Sequence, residues 1–395
     1  MAKPAAGSSV NGTGGVIDTA PADRAADLLD LVAAGIDRSQ DDRRPGDDIV
    51  RAFADRGLLR ILAPREYGGE EASGRDFLEL VETVATVDGS AAWTVMTLNE
   101  EMEIACAHLP PEYMASVVRS DPPIVVAGAG APQGTAVRAE GGWRLTGQWA
   151  FVTGGPAADF IVVGAVAEGP RPRSLCYVLV PRQEVDILDT WDTVGLRGTG
   201  SHDVRLDSVF VPDERVGLSA GAGLAIPDSP LFRLPFGLRF PFPKVGVAAG
   251  VARAAIESFT ELAATKRARL GKALLRDEVD AQIAVAEAEA LLCSGRAFAT
   301  EMLDTVWALA VEGESIPERI HARTRLACST SVANSVRAVE LLATAAGTTV
   351  NRRGHPLQRQ LADVRAVPQH FMVGGYHRLS AGRVLLGMRA DDPMF

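Results

Sequence analysis

The chain reads as an α+β protein in three parts: an N-terminal helical domain, a small middle β domain expected to close as a barrel, and a C-terminal four-helix bundle. Three observations carry this reading. The block Pro123 to Val216 is built from short β-rich runs closed by Pro, Asp or Gly. On both sides of it apolar residues recur at three and four residues, the spacing of one helix face. After Pro243 the run Val279 to Val311 contains no proline, enough for a helix roughly 50 Å long at about 1.5 Å per residue. A β domain inserted between helical domains is an uncommon order, so it constrains the fold more than composition does. The expected boundaries are a disordered tail over 1–20, the helical domain over 21–122, the β domain over 123–228 and the bundle over 229–395.

Met1 to Thr19 is rich in Gly, Ala and Ser, with neither a basic start nor an apolar centre, and so reads as a tail rather than a signal peptide. Leu28, Leu29, Leu31 and Val32, then Ile49, Val50 and Phe53, give two amphipathic helices split by the polar run Arg38 to Asp48. Asp76 to Val87 resumes the helix. Asp88-Gly89-Ser90 is a cap signal before the apolar helix through Trp93, Val95, Met96 and Leu98. Within the β block, Ala136 to Arg144 alternates around Gly141-Gly142 as a hairpin does. Glu318 to Ala346 is a further helix, stopped by Gly347, and Leu357 to Gly387 another, interrupted at Pro368 and at Gly374-Gly375. The alanine-rich faces of these helices predict a bundle that continues across a subunit interface, as a homodimer or homotetramer.

With 395 residues, 47% hydrophobic and 23% charged, the chain can bury a large core. Its net charge of −10 argues against nucleic acid or an anionic membrane as partner. No run of about 18 apolar residues is present to span a bilayer. Cys106, Cys176, Cys293 and Cys328 lie far apart without a CxxC or Cys/His cluster. They predict reduced thiols, a cytoplasmic setting and no metal site.

Six segments in order then resemble the acyl-CoA dehydrogenase fold over nearly everything from Ala22 onward. They are Pro64-Arg65-Glu66-Tyr67-Gly68-Gly69, Asp88-Gly89-Ser90-Ala91-Ala92-Trp93, Gly147 to Gly155, Gly195 to Ser201, Val209-Phe210-Val211-Pro212, and Arg267 to Gly271. The resemblance implies a flavin; no GxGxxG or Walker A pattern suggests a nucleotide independently. A dehydrogenase of this fold needs a carboxylate base, commonly a Glu shortly before the last helix. Here the last glutamate is Glu340. The C-terminal region instead holds His355 to Asp363 followed by His370, which resembles the segment carrying the active-site histidine of two-component flavin monooxygenases acting on phenols and dibenzothiophene, with amino-sugar N-oxygenases nearby.

That resemblance implies His370 as the catalytic residue, taking a proton from a phenol or amine, or holding a flavin C4a-hydroperoxide by hydrogen bond. It implies Trp93, Trp149, Phe151 and Thr153 beside the flavin ring and Arg267 on a flavin phosphate. Each has a plainer alternative: a core histidine for His370, core packing for the tryptophans, a solvated charge for Arg267. His355 and His377 read as structural. Asn99, Glu101 and Gly128 are substrate-binding candidates. The carboxylates after Asn99 suit a cationic amine, or mark a solvated helix face. Departures from the branch are Glu101 where several hydroxylases carry a second histidine, Ala362 where an Arg is usual, and a loop Ala127 to Ala131 without hydroxyls. The expected activity is oxygenation of a small aromatic or amine substrate, using O2 and reduced FMN or FAD supplied by a separate NAD(P)H reductase. The alternatives are an acyl-CoA dehydrogenase and a non-catalytic homologue.

Overall fold

In the computed structural model, residues 19–168, 174–218, 228–267 and 273–392 are described. Most of the expected tail, the Ala268 to Gly271 part of the arginine motif and Phe395 lie outside them. The N-terminal layer runs α1 (Pro21–Ala26), α2 (Leu29–Asp42), α3 (Asp47–Asp55), α4 (Gly74–Ala85), α5 (Gly89–His108) and α6 (Pro111–Val118). Arg43, in the left-handed region at φ 54°, ends α2 inside the polar run that separates it from α3. A capping box starts α4: the Asp76 amide donates to Ser73 Oγ at 3.1 Å and the Ser73 amide to Asp76 Oδ2 at 3.2 Å. Asp88 caps α5, accepting from the Ala91 amide at 2.8 Å. α5 is buried along most of its length because it lies between α4, the first strand and the bundle.

The sheet contains β1 (Val126–Ala139), β2 (Gly142–Val152), β3 (Phe160–Glu168), β4 (Ser174–Pro181), β5 (Asp186–Leu188), β6 (His202–Pro212) and β7 (Val216–Leu218). Their order is β5-β6-β2-β1-β3-β4-β7. β1 and β3 pair in parallel and the other neighbours antiparallel, so the sheet is mixed. No rung joins β5 to β7 among the described residues, and the expected barrel is seen as an open sheet. Irregularities interrupt the ladder, and two of them bear on the site. The β1–β3 register slips around Pro132, which has no N–H to give to it. The β2–β6 register slips between Trp149 and Val152, where Phe151 takes a positive φ of 64°.

The C-terminal layer holds α7 (Pro230–Arg233), α8 (Phe236–Arg239), α9 (Pro241–Thr265), α10 (Val279–Glu312), α11 (Glu318–Ala346), α12 (Pro356–Ala366) and α13 (His377–Leu385). Gly347 closes α11 at φ 62°, a conformation that favours a residue without Cβ. The last helix is broken into α12 and α13 by the Pro368 and Gly374-Gly375 segment, and that break carries His370. α9 is apolar nearly all round because it fills the centre, against α4, α5, α10, α11 and α12. No helix among the described residues is long and apolar enough to cross a membrane.

Candidate active site

The C-terminal half of α5 puts Glu100, Glu101, Ile104, Ala107 and His108 on one face, since residues three and four apart are neighbours on a helix. That face forms one wall of a cleft of about 640 Å³. The irregular segment Gly130 to Pro132 of β1 makes its rim, Phe232, Phe236, Arg239, Phe240 and Lys244 come from α7 to α9, and His370, Phe371 and Met372 from the break before α13. The volume is in the range of small-molecule sites, and aromatic side chains dominate the far wall. A second, wider cleft of about 1000 Å³ is lined by Arg197, Arg353, Arg359 and Arg365 with Asp37, Asp41 and Asp192. Its charged lining suits a polar group better than an apolar substrate.

Glu100, Glu101 and Glu103 are all buried, so the polar triplet after Asn99 is not a solvated helix face. Lys244 Nζ lies 2.5 Å from both carboxylate oxygens of Glu100, and Arg239 Nη1 lies 2.8 Å from Glu103. Burial pushes Glu100 up to about 7 despite its partner and pulls Lys244 below the usual ammonium range. Glu101 has no cation of its own. Its Oε2 is buried without a hydrogen-bond partner, and burial together with the Glu100 charge pushes its pKa up to about 8. Gly128 lies directly against it: a Cβ there would come 2.7 Å from Glu101 Oε2.

His370 lies across the cleft, its ring edge-on to Trp93 at 5.6 Å and stacked on Phe371 at 4.7 Å. Its Nδ1 accepts from the Met372 amide at 3.2 Å. Burial, with Lys244 nearby, holds its pKa well below the ordinary value, so the ring is neutral at pH 7. A neutral imidazole whose Nδ1 is an acceptor carries its proton on Nε2. Of the two roles expected from sequence, hydrogen-bond donation fits and proton abstraction at Nε2 does not. The loop is anchored from behind: Arg325 Nη2 donates to His377 Nδ1 at 3.0 Å, and His377 Nε2 donates to Phe371 O at 2.7 Å.

The other expected residues separate. Asn99 is wholly buried, its amide donating to Leu58 O and Val95 O and accepting from the Ile61 amide. Three backbone bonds in a wholly buried position leave it no access to a ligand, which corrects its reading as a substrate ligand. Trp149 is fully buried with its indole N–H on Gly164 O at 2.7 Å, so it packs the sheet and has no face left for a flavin. Phe151, two residues on, is 68% exposed and edge-on to Trp191 at 6.1 Å. Thr153 Oγ1 is 2.8 Å from Ser201 Oγ, which is 2.8 Å from Thr199 Oγ1, which donates to Leu196 O. Arg267 is exposed just past α9, its backbone bridged to Leu274.

Sequence reasoning missed Lys244, Arg239 and Glu103. Lys244 had a signal: it is a lone cation in the apolar helix face from Phe242 to Val251, where burial demands a partner. Reasoning also missed that three of the sequence motifs meet. Ser90 Oγ accepts from the Gly198 amide at 3.2 Å, Asp363 Oδ1 accepts from the Leu196 amide at 2.6 Å, and Arg359 approaches Asp88 at 3.6 Å.

The acyl-CoA dehydrogenase middle-domain model matches residues 126–209 and the C-terminal-domain model residues 244–374. An indole-3-acetate monooxygenase of Pseudomonas putida is 32% identical over 345 residues, covering 86% of this chain and 87% of that protein. The chain belongs to the acyl-CoA dehydrogenase family. Within the family it groups with flavin-dependent monooxygenases. The oxygenase subunit HsaA of a flavin-dependent monooxygenase from Rhodococcus jostii is 28% identical, covering 87% of this chain and 92% of that one. The structure of XiaF from Streptomyces sp., solved with FADH2 and glycerol, superposes with a TM-score of 0.84 at 26% identity, covering 94% of this chain and 96% of that one. This member of the family is an oxidoreductase of the monooxygenase kind.

Proposed function

We propose that the cleft between α5, α9 and the His370 loop is the reaction chamber of a two-component monooxygenase that oxygenates a small aromatic or amine substrate. The cofactor is reduced flavin; the finer reading is that a separate NAD(P)H reductase supplies it by diffusion, in the cytoplasm. The end of β2 fits a flat ring: Phe151 is an exposed aromatic held out by the strand irregularity, Trp191 meets it edge-on, and the buried Thr153, two residues on, has its hydroxyl beside that of Ser201. Arg267 is proposed for the phosphate. Bound reduced flavin supplies two electrons to O2, so that one oxygen atom enters the substrate and the other leaves as water.

The protein's own part is positional and electrostatic. A substrate packed on the aromatic walls displaces water from the cleft. His370, neutral and protonated on Nε2, donates a hydrogen bond toward the oxygen being transferred, from a ring fixed by Met372, Trp93 and Phe371. That fixed donor in an aromatic cleft is the observation that carries the reading. Glu340, the last glutamate, is tied to Arg365 and does not line this cleft, which leaves the dehydrogenase alternative without its usual base. Exposed apolar residues along the C-terminal segment, including Phe371, Tyr376, Leu379 and Leu386, support a homodimer or homotetramer.

Turnover with reductase, NADH, flavin and labelled O2 tests the reading. One labelled oxygen atom per product molecule is expected; reduction of an electron acceptor by an acyl thioester, without label in any product, overturns it.

A further inference from the structure

The three acids of the cleft are not partnered alike. Among the described residues, Lys244 pairs with Glu100 and Arg239 with Glu103, while Glu101 forms no ion pair and its buried Oε2 accepts no hydrogen bond. Glu101 is 8% exposed and lines the cleft. The other titratable groups on the walls do not help: burial keeps His108 and His370 below their ordinary pKa, hence neutral at pH 7, and the Tyr177 phenol is raised. Gly128, which the close approach of Val162 on the paired strand already requires to lack a Cβ, also leaves space beside Glu101 Oε2. Lacking a cation, the buried Glu101 carboxyl holds a proton at pH 7 and becomes a carboxylate only when a cation enters the cleft beside it.

We propose that Glu101 is the specificity-determining residue of the cleft and receives the protonated amine of an aromatic substrate. The inference rests on the monooxygenase reading of the same cleft and deepens it. In the empty cleft Glu101 holds a proton at pH 7; a ligand ammonium displaces that proton to solvent and pairs with the carboxylate, while the aromatic body packs on Phe232, Phe236 and Phe240. A substrate carboxylate finds both cations already engaged and meets Glu101 instead. Glu101 and His370 both line this cleft, so the amine end and the reacting end of one small molecule fall within it.

The test is a matched series on one ring, tryptamine, indole and indole-3-acetate, titrated calorimetrically into the full chain saturated with flavin. Tryptamine is expected to bind at least about 10-fold more tightly than indole-3-acetate, with indole between them, and Glu101→Gln to weaken tryptamine by about 10- to 100-fold, the range for a hydrogen bond to a charged group, while sparing indole. Equal affinities, no tryptamine binding, or a preference for indole-3-acetate overturns the proposal, and the wild-type series alone suffices if the variant fails to fold. Labelled-oxygen incorporation is followed in parallel. Tryptamine bound through Glu101 without oxygenation would sink the monooxygenase reading and spare this one. Indole oxygenated with affinities indifferent to side-chain charge would do the reverse.

Discussion

The two ends of α5 each bury carboxylates, and they treat them differently. At the N-terminal end, Asp88 accepts from Ala91 and Asp363 from Leu196, with Arg359 3.6 Å from Asp88, so each acid has a fixed donor of the protein and Asp88 also has a cation beside it, although its Oδ1 accepts no hydrogen bond. At the other end, Glu100 and Glu103 take a cation each and Glu101 takes none. The first arrangement ties α5, α12 and the Leu196 to Gly198 turn into one junction. The second leaves capacity facing a cleft. A buried acid by itself therefore does not mark a site; one that lacks a cation and lines a cleft of substrate size points to one.

Substitutions at the two ends should separate accordingly. The largest loss of stability is expected for Lys244→Met, which leaves Glu100 buried without its cation; breaking such a pair should cost about 3 to 5 kcal/mol, read by urea denaturation. A change below about 1 kcal/mol would mean that Glu100 simply takes up a proton. Asp363→Ala should cost about 1 to 3 kcal/mol by orphaning the Leu196 amide. Asp363→Asn should cost clearly less, because it keeps an acceptor and removes the Asp88 repulsion that helps push Asp363 up to about 7. Equal costs for the two variants would show that charge, not the hydrogen bond, holds the junction.

A further test is a pH dependence. Burial raises the folded-state pKa of Glu101 from its usual 4.5 to about 8. The folded protein thus holds this proton more tightly than the unfolded chain. The resulting stability is full below the unfolded value and is lost as pH rises toward 8. Glu101→Gln does not titrate, so its stability should gain on that of wild type between about pH 5 and about pH 8 and then level off. Parallel curves of thermal midpoint against pH for the two proteins would contradict this.

Local signals marked much of the scaffold. Glu318 and Ala346 bound α11 because Pro317 precedes it and Gly347 follows, and Pro368 with Gly374-Gly375 breaks the last helix where expected. The site was less legible. Period-two reasoning places Trp149 and Phe151 on one face of a strand. The slipped register between Trp149 and Val152 instead sends the first inside and the second out. The acids of α5 were ambiguous because an exposed and a buried carboxylate are written alike; what distinguishes them is Lys244, 144 residues away. His370 was picked out by motif spacing, but its tautomer depends on a backbone amide that no pattern of side chains reports.

The most direct test of the central claim is the ratio of product formed to reduced flavin oxidised in His370→Ala. If His370 Nε2–H supports oxygen transfer, the variant should keep its fold and flavin affinity, consume O2, and release it as hydrogen peroxide while product formation drops by about 100-fold, the scale for losing one preorganised donor. The same product-to-flavin ratio as wild type would contradict the account, and would leave the cleft without the residue on which its chemistry is built.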